Sequence, residues 1–214
     1  MSLFKLDNVI QNYAWGSKDS INQLFGIVNP NQEPQAEIWM GAHPNGCSKV
    51  GDTGEPLSHM IDENRIDVLG GYTAARFGEL PFLFKVLAAE TPLSIQVHPN
   101  KRKSELGFER ENALGIPLNA SNRNYKDPNH KPELVYALTF YKAMNGFRPI
   151  DDIIALFEEA DIPSLAIERN VLKANADSDS LKSFFSAIMS LEGDRKVSAL
   201  NELYAAHARP AKTT

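Results

Sequence analysis

A single cysteine, Cys47, in 214 residues excludes an intrachain disulfide, and a lone thiol fits a reducing compartment. No run of about 18 apolar residues occurs, which removes the ordinary signature of a transmembrane helix. The first apolar patch, MSLFKLDNVI, is interrupted by Lys5 and Asp7, so it lacks the continuous apolar stretch of a secretory signal. Positive charge is not in excess either. Twenty-two Lys and Arg stand against 27 Asp and Glu, a net charge of −5, and nothing in that balance attracts nucleic acid or an anionic membrane. Phosphate-cradling glycine patterns are missing, because Gly70-Gly71 stands alone and reads as a turn. Low-complexity segments are missing too. The tripeptide His-Pro-Asn recurs at 43–45 and 98–100, but the flanks differ, so shared turn chemistry explains it better than duplication. The expectation is a soluble cytoplasmic protein with no nucleic-acid or membrane partner.

What the chain does have is ordinary globular material, 43% hydrophobic and 23% charged, enough for one large domain or two small ones. Up to about residue 150, turn signals such as Asn29-Pro30-Asn31, Gly51-Asp52-Thr53-Gly54 and Asp127-Pro128-Asn129 punctuate short apolar runs. The runs at 36–40, 81–88, 93–97 and 134–141 have strand length. Helices are expected at 17–24, 57–64 and 103–114. Beyond 150 the pattern is helical. Asp151-Asp152 precede an apolar run, as acidic residues at a helix start do. Leu181, Phe184, Phe185, Ile188 and Met189 fall on one helical face, in a helix expected to stop at Gly193. A last helix is expected from about 195 to 206, followed by a frayed tail, HARPAKTT. Two domains follow: a β-rich part at 1–149 and an all-helical part at 150–214.

The stretch PLSIQVHPN, residues 92–100, alternates like a strand. Leu93, Ile95 and Val97 share one face, while Ser94, Gln96 and His98 share the other. Gln96 and His98 then sit roughly 6.6 Å apart along the strand, with Pro99 ending it just beyond. Two readings stand: a half-exposed strand that meets water, or a rim that holds an ion. Downstream, NYKDPNHKPEL at 124–134 puts Glu133 at the opening of another expected strand, beside small apolar residues. Glu133 is either a surface carboxylate paired with Lys131 or Lys126, or a third donor converging with Gln96 and His98. One nitrogen and two oxygens suit Zn²⁺ or a similar divalent ion.

The blocks YAWGS (13–17), AEIWMGAHP (36–44), ELPFLFKVL (79–87), PLSIQVHPNK (92–101) and NYKDPNHKPEL (124–134) resemble, in order, the signature blocks of type I phosphomannose isomerases. The resemblance spans residue 13 to about 147, and the helical stretch after 150 resembles that family's inserted helical domain. It implies an incomplete cupin-like β-jelly-roll with an appended all-helical domain. It also implies one zinc ion per chain held by Gln96, His98 and Glu133. Ser94 would line the substrate pocket, and Lys131 and Lys85 match lysines associated with the family's active site.

The implied reaction interconverts mannose 6-phosphate and fructose 6-phosphate through an enediol, with a metal polarising the carbonyl and a positioned base moving the proton. Lys131 and His130 are the base or relay candidates, with a phosphate-facing or supporting role for Lys131 as the other reading. Lys101, Arg102 and Lys103 either meet the phosphate or form a solvated face. Trp15 and Trp39 read as core or pocket wall rather than sugar platforms. Family members are longer than this chain. After the helices they return to strands that supply a histidine ligand and an arginine, then add a further β-domain. His207 lies in no comparable context and is not assigned as a ligand. The chain is therefore expected to be the N-terminal portion of such an enzyme. It would work either as a weakened isomerase or as a metal- and sugar-phosphate-binding cupin fragment that needs a C-terminal β-domain or separate chain.

Overall fold

The computed structural model describes residues 3–208. In chain order the elements are β1 (Leu6–Asp7), β2 (Val9–Gln11), α1 (Ser20–Phe25), β3 (Glu37–Met40), β4 (Ala42–His43), β5 (Gly46–Cys47), β6 (Lys49–Val50), α2 (Leu57–Glu63), α3 (Arg65–Leu69), α4 (Gly71–Phe77), β7 (Phe84–Leu87) and α5 (Lys101–Ala113). There follow α6 (Ile150–Ala160), a 3-10 turn (Pro163–Leu165), α7 (Ala166–Ala174), α8 (Ser178–Met189) and α9 (Gly193–His207). The fold class is mixed β and α. The chain forms two compact units, Met1–Pro132 and Glu133–Thr214.

The first unit is organised by a three-stranded antiparallel sheet in the order β2-β3-β7. Its register pairs Ile10 with Ile38 and Ile38 with Val86 on one face. Ile21 of α1, Ile38 and Ala88 form a core against that face, with Ile10, Met40 and Val86 packed on it. Because side chains alternate along a strand, the opposite face takes Gln11, Glu37, Trp39 and Lys85, with Val9 and Leu87 at its margins. The sheet thus separates an apolar layer from a face rich in functional groups. Gly46 in β5 lies against that second face. A Cβ there would fall 2.7 Å from Trp39 Cε3 and 2.8 Å from Gln11 Nε2, so only glycine permits the approach.

Helix α5 begins where the side chain of Asn100 accepts a hydrogen bond from the Lys103 amide, 3.0 Å, as an N-cap does. This places the helix start at Lys101, two residues before the expected position. On its other side α5 anchors residues 123–125. The Arg123 guanidinium donates to Tyr125 O, Ile116 O and Asn112 Oδ1 at 2.6, 2.8 and 2.8 Å. The Glu111 carboxylate accepts from the amides of Asn124 and Tyr125 at 3.1 and 2.8 Å. The Tyr125 ring lies flat over Gly107, where a Cβ would sit 2.4 Å from it.

Two expected strands, 93–97 and 134–141, are not strands. Residues 92–100 and 131–137 carry no regular secondary structure. A strand needs a ladder partner, and no described strand pairs with either segment. Their apolar side chains stand in solvent: Ile95 and Val97 are 80% and 84% exposed, and Leu134 is 93% exposed. The short helices α3 and α4, on either side of the turn read at Gly70-Gly71, are not among the expected helices.

In the second unit, Ile154, Leu172 and Phe184 form one core, with Ile150, Ile153, Phe157, Leu181 and Ile188 against it. Ile162, Leu165 and Ala199 form another. Phe157 and Phe184 meet edge to face at 5.0 Å. Helix α8 is capped by Asp177, whose side chain takes the Ser180 amide at 2.8 Å. Asp179 lies inside the first turn of α8. Gly193 opens α9 rather than closing α8, which ends at Met189. His207 closes α9. Of the tail HARPAKTT, residues 209–214 lie outside the described residues. Among the described residues no helix is long and apolar enough to cross a membrane.

Candidate functional site

The polar face of the sheet gathers a connected set of side chains. Glu37 and Trp39 lie two apart on β3 and so point the same way. The Trp39 indole Nε1–H donates to Glu37 Oε2 at 2.5 Å. Lys85 of β7 stands opposite Trp39 in the register. Its ammonium lies 3.4 Å from Glu37 Oε2 and 4.7 Å from the centre of the Trp39 ring, a cation–π contact. The edge-to-face partner of Trp39 is His43, at 4.8 Å and 80°. His43 Nδ1 accepts the Asn45 amide at 3.1 Å, which leaves any ring proton of a neutral imidazole on Nε2.

His43 still reaches solvent, yet its environment holds it below the ordinary imidazole range. Desolvation against its neighbours is the largest cause, followed by the positive charges of Lys85 and Lys131, with Asp127 opposing. Lys131 Nζ itself lies 4.0 Å from Asp127 Oδ2. Tyr13, stacked on Trp15 at 5.9 Å, is raised above the usual phenol range by desolvation and then by the Glu37 charge.

The expected metal donors fall as follows. Gln96 and His98 are both exposed, and Gln96 Oε1 lies 3.4 Å from His98 Nε2. Two ligands bound tetrahedrally at ~2.1 Å are separated by about 3.4 Å, so the spacing of this pair suits two donors to one ion. Glu133 opens the second unit as an exposed residue. Ser94 and His130 are exposed. Lys101 donates to Pro128 O at 3.1 Å and Asn129 Oδ1 at 3.4 Å, so its ammonium ties the 127–129 turn to the start of α5. A separate donor group stands around α2. Glu55, His59 and Glu63 offer ligand atoms within 4.8 Å of one another, but they face solvent as ion pairs, with His59 Nδ1 2.6 Å from Glu55 Oε1.

Glu37 and His43 are absent from the residues singled out in the sequence. The signal for Glu37 was a lone carboxylate inside the apolar run Glu37–Met40. The signal for His43 was weaker, because His-Pro-Asn reads as turn chemistry.

The family model for the catalytic domain of type I phosphomannose isomerase matches residues 3–150. Mannose-6-phosphate isomerase of Salmonella typhimurium is 52% identical over 205 residues, 94% of this chain and 52% of the relative. The Escherichia coli enzyme of the same name is 49% identical, over 92% of this chain and 50% of its own length. Among solved structures, the Salmonella typhimurium enzyme bound to fructose 6-phosphate and zinc superposes with a TM-score of 0.87 at 48% identity, covering 99% of this chain and 54% of that one. With that match over most of its first 150 residues, and with these relatives, the chain belongs to the type I phosphomannose isomerase family. The chain spans about half the length of the curated relatives it matches.

Proposed function

We propose that this chain is the metal- and sugar-binding portion of a zinc-dependent aldose–ketose isomerase that interconverts mannose 6-phosphate and fructose 6-phosphate in the cytoplasm. The observation that carries the reading is the Gln96–His98 pair, spaced 3.4 Å apart, within a chain 48% identical to an isomerase solved with zinc and fructose 6-phosphate. Gln96, His98 and Glu133 are the ligands, and a zinc ion held there would polarise the sugar carbonyl. The catalytic part runs through residue 149, and the helical part takes up 150–214.

This chain's own groups do the rest. Lys131 and His130 hold or move the proton between C1 and C2 of the open-chain sugar. Lys85 presents its ammonium to the charge that develops on the substrate. Ser94 lines the sugar side, and Lys101 fixes the turn that precedes His130 as well as facing the phosphate.

A second reading is favoured by the exposed alternation of Ile95 and Val97 and by Leu134, together with the half-length match to relatives. Here the chain binds metal and sugar phosphate but turns over only beside a C-terminal β-domain or separate chain whose strands cover those side chains.

A coupled isomerase assay on the purified chain, with zinc measured on the same sample, tests both readings. We expect weakly bound zinc, about one ion per chain at saturation, with poor turnover. Strong turnover by the chain alone would remove the need for a partner. No zinc retained at saturation would remove the metal reading.

A further inference from the structure

We propose that Glu37 is a positioning residue for Lys85, aiming its ammonium from the sheet toward the sugar; this rests on the isomerase reading above. Glu37 is 7% exposed, and a carboxylate so buried is costly unless paired and hydrogen-bonded. It has two partners, the Trp39 indole N–H and the Lys85 ammonium, both on Oε2. A buried ion pair of this kind contributes little net stability compared with packed apolar side chains, and the opposite face of the same sheet is apolar. The polar arrangement therefore needs another reason.

The geometry supplies it. The Lys85 side chain is 31% exposed and that of Glu37 is 9% exposed, so the lysine is partly open to solvent while its anchor is not. Lysine has four rotatable bonds and loses considerable entropy when fixed. Here the ammonium is gripped from two directions, by the Glu37 carboxylate and by the Trp39 ring face. Trp39 is itself held by Glu37 and wedged against Gly46. Glu37 thus sets both restraints on Lys85. It acts through that lysine and need not touch the sugar.

The test has one arm that needs no turnover. The Lys85 methylenes beside the Trp39 ring should show ring-current-shifted Hε resonances in the lysine-labelled chain. In Glu37→Gln, which preserves shape and removes charge, these resonances should move more than halfway to the free-lysine position. Glu37→Asp keeps the charge but retracts it by one methylene, and should give an intermediate shift. It also serves if the Gln variant does not fold. A folded variant of either kind with Lys85 at its wild-type position overturns the proposal.

The second arm is kinetic. Glu37→Gln should lower kcat by about tenfold or more, the size of one charge-assisted hydrogen bond, with KM moved less. The double variant with Lys85→Met should be no slower than Lys85→Met alone. An additive loss overturns the proposal. If the wild-type chain shows no turnover, the isomerase reading fails in this chain, and the resonance arm still decides the role of Glu37.

Discussion

Arg123 and Glu111 are buried together, the guanidinium Nε 3.1 Å from Glu111 Oε2, with side chains 0% and 4% exposed. The pair joins α5 to residues 123–125, the approach to Asp127, His130 and Lys131. Hydrogen bonds, led by the Tyr125 amide, hold the Glu111 carboxyl below the usual carboxylate range against the opposing effect of burial. A carboxyl depressed in the folded state contributes stability above its unfolded value, and that contribution is lost as pH falls through the folded value. Acid should therefore loosen this connection. Thermal melts from pH 7 downward should show a drop in midpoint below about pH 4 that Glu111→Gln largely abolishes. Arg123→Met should cost far more than removal of the solvent-facing Lys173–Glu158 pair, because exposed ion pairs contribute little.

Two histidines should titrate in opposite directions. His43 is lowered by desolvation and by Lys85 and Lys131. His59 is raised by its hydrogen bond to Glu55 and then by the Glu63 charge. Imidazole NMR titration should place His43 below about 6.5 and His59 above it. The signs differ for stability as well. The His59 contribution is full at low pH and lost as pH rises through its folded value, whereas His43 costs stability as pH falls below its unfolded value. Lys85→Met removes a repelling charge and should shift His43 upward while leaving His59 in place. If His43 does not respond, the two groups are not neighbours in solution.

Helices α6, α8 and α9 were legible because the 3.6 period and acidic starts are local signals, whereas α7 was not singled out. β3 and β7 were legible as apolar runs. Gln96 and His98 were paired by reading strand alternation at 92–100, where no strand forms. The strands expected at 93–97 and 134–141 were misread because alternation specifies a face, whereas a strand exists only with a partner distant in sequence. Helices α3 and α4 went unseen because segments as short as Arg65–Leu69 carry too little periodicity. The group at Glu37 was hidden for a related reason. Its two partners are Trp39, two residues away, and Lys85, which only the antiparallel register brings alongside.

The helical unit should be sensitive at Leu172, which is 1% exposed between Ile154 and Phe184. Leu172→Ala leaves a cavity in an aliphatic–aromatic core, and such losses cost about 2–5 kcal/mol. Ile167→Ala, on the exposed side of the same helix at 73%, should cost well under 1 kcal/mol. Urea unfolding followed by far-ultraviolet dichroism measures both. Equal effects would mean that α7 does not bury the face described.

Zinc can be offered two donor sets by this chain, and they are separable. Gln96 and His98 supply an amide oxygen and an imidazole at a tetrahedral spacing. Glu55, His59 and Glu63 supply two carboxylates and an imidazole on an open surface. In the second set each carboxylate already pairs with the ring, and water competes for all three. A binding ion must break those pairs and gains no enclosure in return. Zinc titration should therefore weaken by at least about tenfold in His98→Ala or Glu133→Gln, since even residues behind a ligand cost ~10–100-fold. His59→Ala should leave affinity and stoichiometry unchanged. The reverse pattern, zinc lost with His59 and kept without His98, would move the metal to α2 and away from the proposed ligands Gln96 and His98.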